Sequence, residues 1–148
     1  MQNCELCQGP GGDILWEDQF CRVVRVAGPE GIEYPGLCRV IWRDHTREMS
    51  DLSGSERNHL MALVFATEAA LRGLYRPDKI NLASLGNVVP HLHWHVIPRF
   101  TDDPQFPAPI WAAKSDSPAP ATQRPVVNDL ALQQAISLAL SEEREFGA

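Results

Sequence analysis

Apolar and polar positions along the chain switch between two periods, and the switches divide it into elements. Residues 14–18 and 19–26 carry short apolar runs; Cys21, Val23 and Val26 repeat every second or third position and Val24 blurs the alternation. They read as a strand pair. The Gly- and Pro-rich residues 27–35 read as a loop, residues 37–42 as a third strand and residues 49–52 as a connector. From about residue 54 to 75 the period becomes helical, with Leu60, Leu63, Val64, Thr67, Leu71 and Leu74 forming one stripe. Ser53 and Glu56 have the spacing of a capping box, and Pro77 stops the helix. Residues 79–85 read as a strand, Gly86-Asn87 as a turn, and His91 to Phe100 as a further extended run. A last helix over about 129–144 gathers Leu132, Ile136, Ala139 and Leu140 on one face. The pattern predicts an α+β fold, an antiparallel β-sheet with one long helix packed on it and a C-terminal helix.

Two stretches escape this periodicity. Residues 1–13 are irregular and end in Gly9-Pro10-Gly11-Gly12. Residues 101–127 hold six prolines, yet Phe106-Pro107-Ala108-Pro109-Ile110-Trp111 is too apolar to be left in water. That segment is expected to pack on the body or across a partner subunit. The expected organisation is a domain over 1–111, a proline-rich loop over 112–127 and a helical segment over 128–148 on the same domain.

The chemistry concentrates in His91-Leu92-His93-Trp94-His95-Val96-Ile97. In a strand, alternate side chains share a face. Leu92, Trp94 and Val96 can then pack a core while His91, His93 and His95 line the other side. Neutral imidazole is a nucleophile, an acid–base group and a metal ligand. For a row of three, a working site is favoured over three separate hydrogen bonds. His59, in the long helix, reads as a surface or boundary residue.

Composition narrows the partners. The 148 residues carry a net charge of -6, with 44% hydrophobic and 22% charged residues. These are values of one globular domain. Without a basic face, nucleic acid is not an expected partner. With no apolar run of about 18 residues, no membrane span is expected. No charged-then-apolar leader pattern is seen, so a cytoplasmic location is expected. There disulfides are disfavoured, and Cys21 and Cys38, inside strands, read as small buried hydrophobes.

The histidine run resembles the motif of the histidine triad (HIT) family, His-φ-His-φ-His-φ-φ with φ apolar, at every position. Residues 81–90 are similar to the turn leading into that motif, and Val40-Ile41-Trp42-Arg43-Asp44-His45 to the family's strand ending in a further histidine. The resemblance covers about residues 1–111 and implies a nucleotide hydrolase or nucleotidyl transferase. Its substrates would be nucleotide conjugates such as phosphoramidates or dinucleoside polyphosphates. By this resemblance His93 is the nucleophile that attacks the α-phosphorus, and a backbone carbonyl of its own strand holds its second nitrogen. His95 donates to a phosphate oxygen or the leaving group, and His91 orients His93. Asn87 and Asn81 resemble the family's polar contacts to phosphate and leaving group, although Asn also suits tight turns. The family's acid for the ribose hydroxyls has no counterpart in register; Glu30 and Glu33 are the acids nearby.

Cys4-Glu5-Leu6-Cys7 is a Cys-x-x-Cys knuckle without the strand-then-helix setting of a redox pair. A structural zinc needs two more ligands. The resemblance, shared with galactose-1-phosphate uridylyltransferases, supplies His45 and His91. The other reading is two free thiols and a polar His45. Homodimers are common in the family, so a homodimer is expected. Two further function classes stand beside the enzyme: a non-catalytic nucleotide-binding protein on the same fold, and a β-barrel metalloenzyme ligated by His91, His93 and His95. The intact triad argues against the first, and the lack of any histidine after His95 against the second.

Overall fold

The computed structural model describes residues 3–116 and 122–146. Five strands form one antiparallel sheet: β1 (Asp13–Glu17), β2 (Cys21–Arg25), β3 (Cys38–Trp42), β4 (Lys79–Ala83) and β5 (His93–Arg99), in the order β1-β2-β3-β5-β4. Two long helices, α3 (Gly54–Tyr75) and α4 (Asp129–Phe146), pack against each other and against one face of the sheet. This is the α+β layout the periodicity predicts.

Register explains the core. Cys21 pairs with Trp42, and Val23 with Val40, which also pairs with Trp94. These residues, with Cys38, Leu92 and Val96, meet Leu60, Leu63, Val64 and Leu71 of α3 and Leu132, Ile136, Ala139 and Leu140 of α4. Each fully buried Leu or Ile of this set contributes about 1.5–3 kcal/mol. The α3 stripe is the expected one, except that Leu74 is only half-buried while Ala66, Ala70 and Tyr75 go fully inside. Its capping box is complete: the Glu56 amide donates to Ser53 Oγ at 3.3 Å and the Ser53 amide to Glu56 Oε2 at 2.7 Å. Arg76 then leaves the helix in a left-handed conformation, ahead of Pro77.

The opposite face of the sheet is covered differently. Two helices form where the pattern reads as irregular, α1 (Glu5–Gln8) and α2 (Gly28–Glu33). Both are too short, and α2 too rich in Gly, to show a helical period. Leu6 and Cys4 bury against Val24 and Ile41. That is why Val24 is apolar where strict alternation calls for a polar residue: β2 is covered on both sides. Arg22, on the same side, is buried and held by three carbonyls, giving Nε to the Pro10 carbonyl at 2.8 Å and Nη2 to the Leu6 and Gly9 carbonyls at 2.7 and 3.1 Å.

The proline-rich stretch splits in two. Ile110 buries with Val26, Tyr34, Leu37 and Ile97, so this part packs on the body. Arg99 at the end of β5 clamps it. This side chain is 1% exposed and donates to Asp103 Oδ2 (3.0 Å), Asn81 Oδ1 (2.8 Å) and the Ala108 carbonyl (2.8 Å). Residues 117–121 of the expected loop lie outside the described residues.

Candidate active site

β5 begins at His93, not His91. The three imidazoles therefore do not form one uninterrupted row. At the bend before the strand, the His91 amide donates to the Val89 carbonyl at 2.8 Å and the Leu92 amide to the Thr46 carbonyl at 2.7 Å. His93 and His95 keep the alternation and face a cleft; His91 turns its ring toward the N-terminal segment.

His91 is fully buried, and its Nε2 lies 2.6 Å from the Trp42 carbonyl oxygen. A carbonyl only accepts, so Nε2 carries the proton and Nδ1 keeps its lone pair. That lone pair lies 3.4 Å from Cys4 Sγ and 3.5 Å from Cys7 Sγ. Cys7 Sγ is also 3.3 Å from His45 Nδ1, and the His45 and His91 rings meet edge to face with centroids 5.2 Å apart. The four ligand atoms all lie within 4.8 Å of one another. An ion with bonds of about 2.3 Å to sulfur and about 2.05 Å to nitrogen sets S and N ligands about 3.6 Å apart in a tetrahedron. The donor set, the spacing and the backbone hydrogen bond that fixes the His91 tautomer all fit such an ion. The four residues the sequence singles out as ligands are thus brought together.

His93 is 7% exposed, and its Nδ1 sits 2.6 Å from the His91 carbonyl oxygen. Nδ1 is therefore the protonated nitrogen and Nε2 keeps the free lone pair. The strand's own carbonyl is held in turn, since the His93 carbonyl accepts from Ser84 Oγ at 2.9 Å. Burial, opposed by the bond to His91 and aided by the Arg39 charge, pulls the His93 pKa below the ordinary histidine value. His95 stacks edge to face on His93, centroids 4.9 Å apart, and on its other side meets the half-exposed Trp111 at 5.0 Å. Burial, with the charges of His93 and Arg39, brings the His95 pKa down to about 4. Both rings are neutral near pH 7. His95 Nδ1 is buried and has no partner among the described residues.

His93 and His95 open onto a cleft of about 430 Å³ lined also by Glu5, Leu6, Arg39, Asn87 and Trp111. Asn87 is exposed in the turn before β5, as its position implies. Asn81 is not brought into this group, since its Oδ1 accepts from Arg99. Of the two acids near the ribose position, Glu30 pairs with Arg39 at 3.3 Å and Glu33 pairs with Lys114. His59 is a boundary residue, its Nε2 2.7 Å from Asp18 Oδ2.

Sequence reasoning missed three contributors. Trp111 comes from an aperiodic loop, and nothing local pointed it at His95. Ser84 reads as a strand-end polar residue. Arg39 reads as the outward position of a strand; only the β3–β5 register, Arg39 opposite His95, puts it in the cleft.

Comparison with known proteins bears on what such a site is. The HIT domain family model matches residues 12–102. A histidine triad protein from Bradyrhizobium japonicum is 28% identical, with a TM-score of 0.60 over 88% of this chain and 90% of that one. A histidine triad protein from Marinobacter aquaeolei is also 28% identical, with a TM-score of 0.54 over 92% of each chain. A zinc-bound histidine triad family protein from Mycobacterium smegmatis shares the fold, at 20% identity, a TM-score of 0.57 and 98% coverage of both. No curated protein matches the chain.

Proposed function

The chain belongs to the HIT domain family, and on that premise we propose that it is a nucleotide hydrolase or nucleotidyl transferase acting at an α-phosphate through a covalent nucleotidyl-histidine. The observation that carries this reading is the bond of His93 Nδ1 to the His91 carbonyl. It leaves Nε2 with a free lone pair on a ring that lines the cleft and is neutral at pH 7. No separate base is needed to activate it.

In the first step Nε2 forms a bond to the α-phosphorus while the bond from phosphorus to the leaving oxygen or nitrogen breaks. A phosphate leaving group departs with the electron pair. An amine leaves with a proton taken from solvent, while the His95 N–H hydrogen-bonds to the leaving group or a phosphate oxygen and keeps its own proton. In the second step a water molecule, or an acceptor hydroxyl in a transferase, attacks phosphorus. The phosphorus–nitrogen bond breaks, His93 regains its lone pair and the attacking group's proton goes to solvent. Asn87, exposed on the cleft wall, contacts the phosphate or leaving group. Asn81 acts one step back, steadying Arg99 and the loop that carries Trp111.

The same reading assigns a structural zinc to Cys4, Cys7, His45 and His91. Four protein ligands close its coordination, so its contribution is to fix the position of His91. The partner molecules are nucleotide conjugates, and the assembly is a homodimer, as the family resemblance implies; sedimentation equilibrium tests the latter. Among the described residues no helix is long and apolar enough to cross a membrane. A cytoplasmic location is part of the proposal.

Trapping tests it. Adenylyl phosphoramidate or a dinucleoside polyphosphate, quenched during turnover, is expected to leave a nucleotidyl adduct on His93 by mass spectrometry. Turnover with no adduct at His93 overturns the mechanism.

A further inference from the structure

Three arginines project from the sheet face that carries His93 and His95, and they are not held alike. Arg22 spends its donors on three carbonyls at 2.7–3.1 Å. Arg99 makes three bonds of 2.8–3.0 Å to Asp103, Asn81 and Ala108. Among the described residues Arg39 makes only two hydrogen bonds, both long: Nη1 to the Gly11 carbonyl at 3.3 Å and Nη2 to Glu30 Oε2 at 3.3 Å. Its Nε is buried with no partner among the described residues. The first two arginines are structural pins. The third has unspent donors, and they belong to a residue of the cleft wall.

We propose that Arg39 is a substrate-binding and catalytic residue, which releases Glu30 to take the non-bridging oxygens of the phosphoryl group presented to His93. The inference rests on the proposed function and adds to it the residue that receives the phosphate charge. Arg39 and His95 are directly opposite on β3 and β5. Such cross-strand neighbours have Cβ atoms about 5 Å apart. Among the described residues lining the cleft, Arg39 is the only arginine or lysine, in a chain whose net charge is -6. Phosphoryl transfer spreads negative charge over the equatorial oxygens. A planar guanidinium fork matches two of those oxygens at once, in charge-assisted bonds shorter than the present ones. Parting from Glu30 costs little. The side chains are 24% and 37% exposed, and a pair this long and this solvated contributes little to stability. A phosphate brings two acceptor oxygens where Glu30 offers one at 3.3 Å.

The pairing with Glu30 gives the test its sign. If Glu30 competes with the ligand for Arg39, removing the Glu30 charge strengthens anion binding. If the two residues are only a structural ion pair, removing either has the same effect. The proteins are wild type, Arg39→Gln, Arg39→Lys and Glu30→Gln, with folding checked by thermal melts and circular dichroism. The probes are AMP, adenosine and inorganic pyrophosphate by calorimetry, and adenylyl phosphoramidate for turnover. Expected are an AMP affinity lowered at least tenfold in Arg39→Gln, partly restored in Arg39→Lys and raised two- to fivefold in Glu30→Gln. Adenosine binding should be unchanged throughout, and kcat in Arg39→Gln should fall further than the AMP affinity.

A folded Arg39→Gln that binds AMP and turns over like wild type overturns the assignment and leaves the nucleotidyl-histidine reading intact. Equal weakening in Glu30→Gln and Arg39→Gln also overturns it. Should Arg39→Gln fail to fold, Arg39→Lys and Glu30→Gln decide: a folded Arg39→Lys with wild-type affinity and rate, or a weakened Glu30→Gln, overturns it. Pyrophosphate binding that depends on Arg39, in a wild-type protein with no turnover, keeps the anion site and removes the hydrolase reading. Wild type that binds neither phosphate probe overturns both.

Discussion

His91 reaches two neighbours by two different groups: its carbonyl oxygen takes the His93 Nδ1 proton at 2.6 Å, while its own Nε2 donates to the Trp42 carbonyl at 2.6 Å. The first bond fixes which nitrogen of His93 is free to react. His93→Ala is therefore expected to lower kcat by more than about 10³-fold, with the melting temperature within a few degrees of wild type. Initial rates on adenylyl phosphoramidate measure it. An undiminished rate would refute the nucleophile assignment.

Metal content is the next measurement. Protein expressed with zinc and kept reduced is expected to carry one zinc per chain by elemental analysis. Cys4→Ser or Cys7→Ser should lose it. The melting temperature should then fall by roughly 10 °C, the shift for a few kcal/mol in a domain of this size. Turnover should fall too, because His91 then keeps only its bonds to the Trp42 and Val89 carbonyls among those described above. Full metal-free stability and activity would show four ordinary side chains at this site.

Acid should act on His95 in a defined window. Its pKa lies at about 4 in the fold because of burial and the charges of His93 and Arg39, against about 6.5 in an unfolded chain. The fold holds the neutral form. Between those two values the unfolded chain binds a proton that the folded one does not, so stability falls as pH drops from about 6.5 toward 4. Above that range this contribution is complete. Urea unfolding of wild type and His95→Gln at several pH values isolates it: the variant should show a shallower loss over this interval. Identical slopes would contradict the burial argument.

Arg99 is the clamp on the loop that delivers Trp111. Arg99→Met leaves the buried Asp103 carboxylate without that partner, and the loss should stay below the roughly 3–5 kcal/mol of a wholly uncompensated buried charge. Asp103 keeps only its contacts to Arg124 and the Phe100 amide. Denaturant melts should show the loss, and limited proteolysis should cut faster near residues 104–111. Arg99→Lys should not rescue, since a single ammonium cannot meet Asp103, Asn81 and the Ala108 carbonyl together. A neutral Arg99→Met would mean that Ile110 alone holds the loop.

Much of this architecture is legible in the sequence itself. The α3 stripe, its capping box and the α4 face are helical periodicity in plain view, and Leu92, Trp94 and Val96 fall on the core side as alternation requires. The Cys4–Cys7–His45–His91 group was readable because the family likeness supplied two histidines far from the cysteines in sequence. Other features were hidden for physical reasons. Val24 looked out of phase because β2 is covered on both faces. The uninterrupted histidine row failed because alternation holds only inside a strand, and the strand starts two residues late. Arg39 and Trp111 depend on sheet register and on the docking of an aperiodic loop, neither of which leaves a local mark.

The N-terminal segment contributes no side chain that would react, yet it sits upstream of everything that does. Cys4 and Cys7 gather around the ring of His91, 87 positions further along the chain from Cys4, whose carbonyl accepts from His93, the proposed nucleophile. Proteolytic clipping ahead of Asp13 would cut no strand and neither long helix, yet it would take away both thiols beside the His91 ring and the three carbonyls that hold buried Arg22. A preparation trimmed there is expected to melt earlier than the full chain, and any turnover lost with it would be lost for a structural reason and not a chemical one.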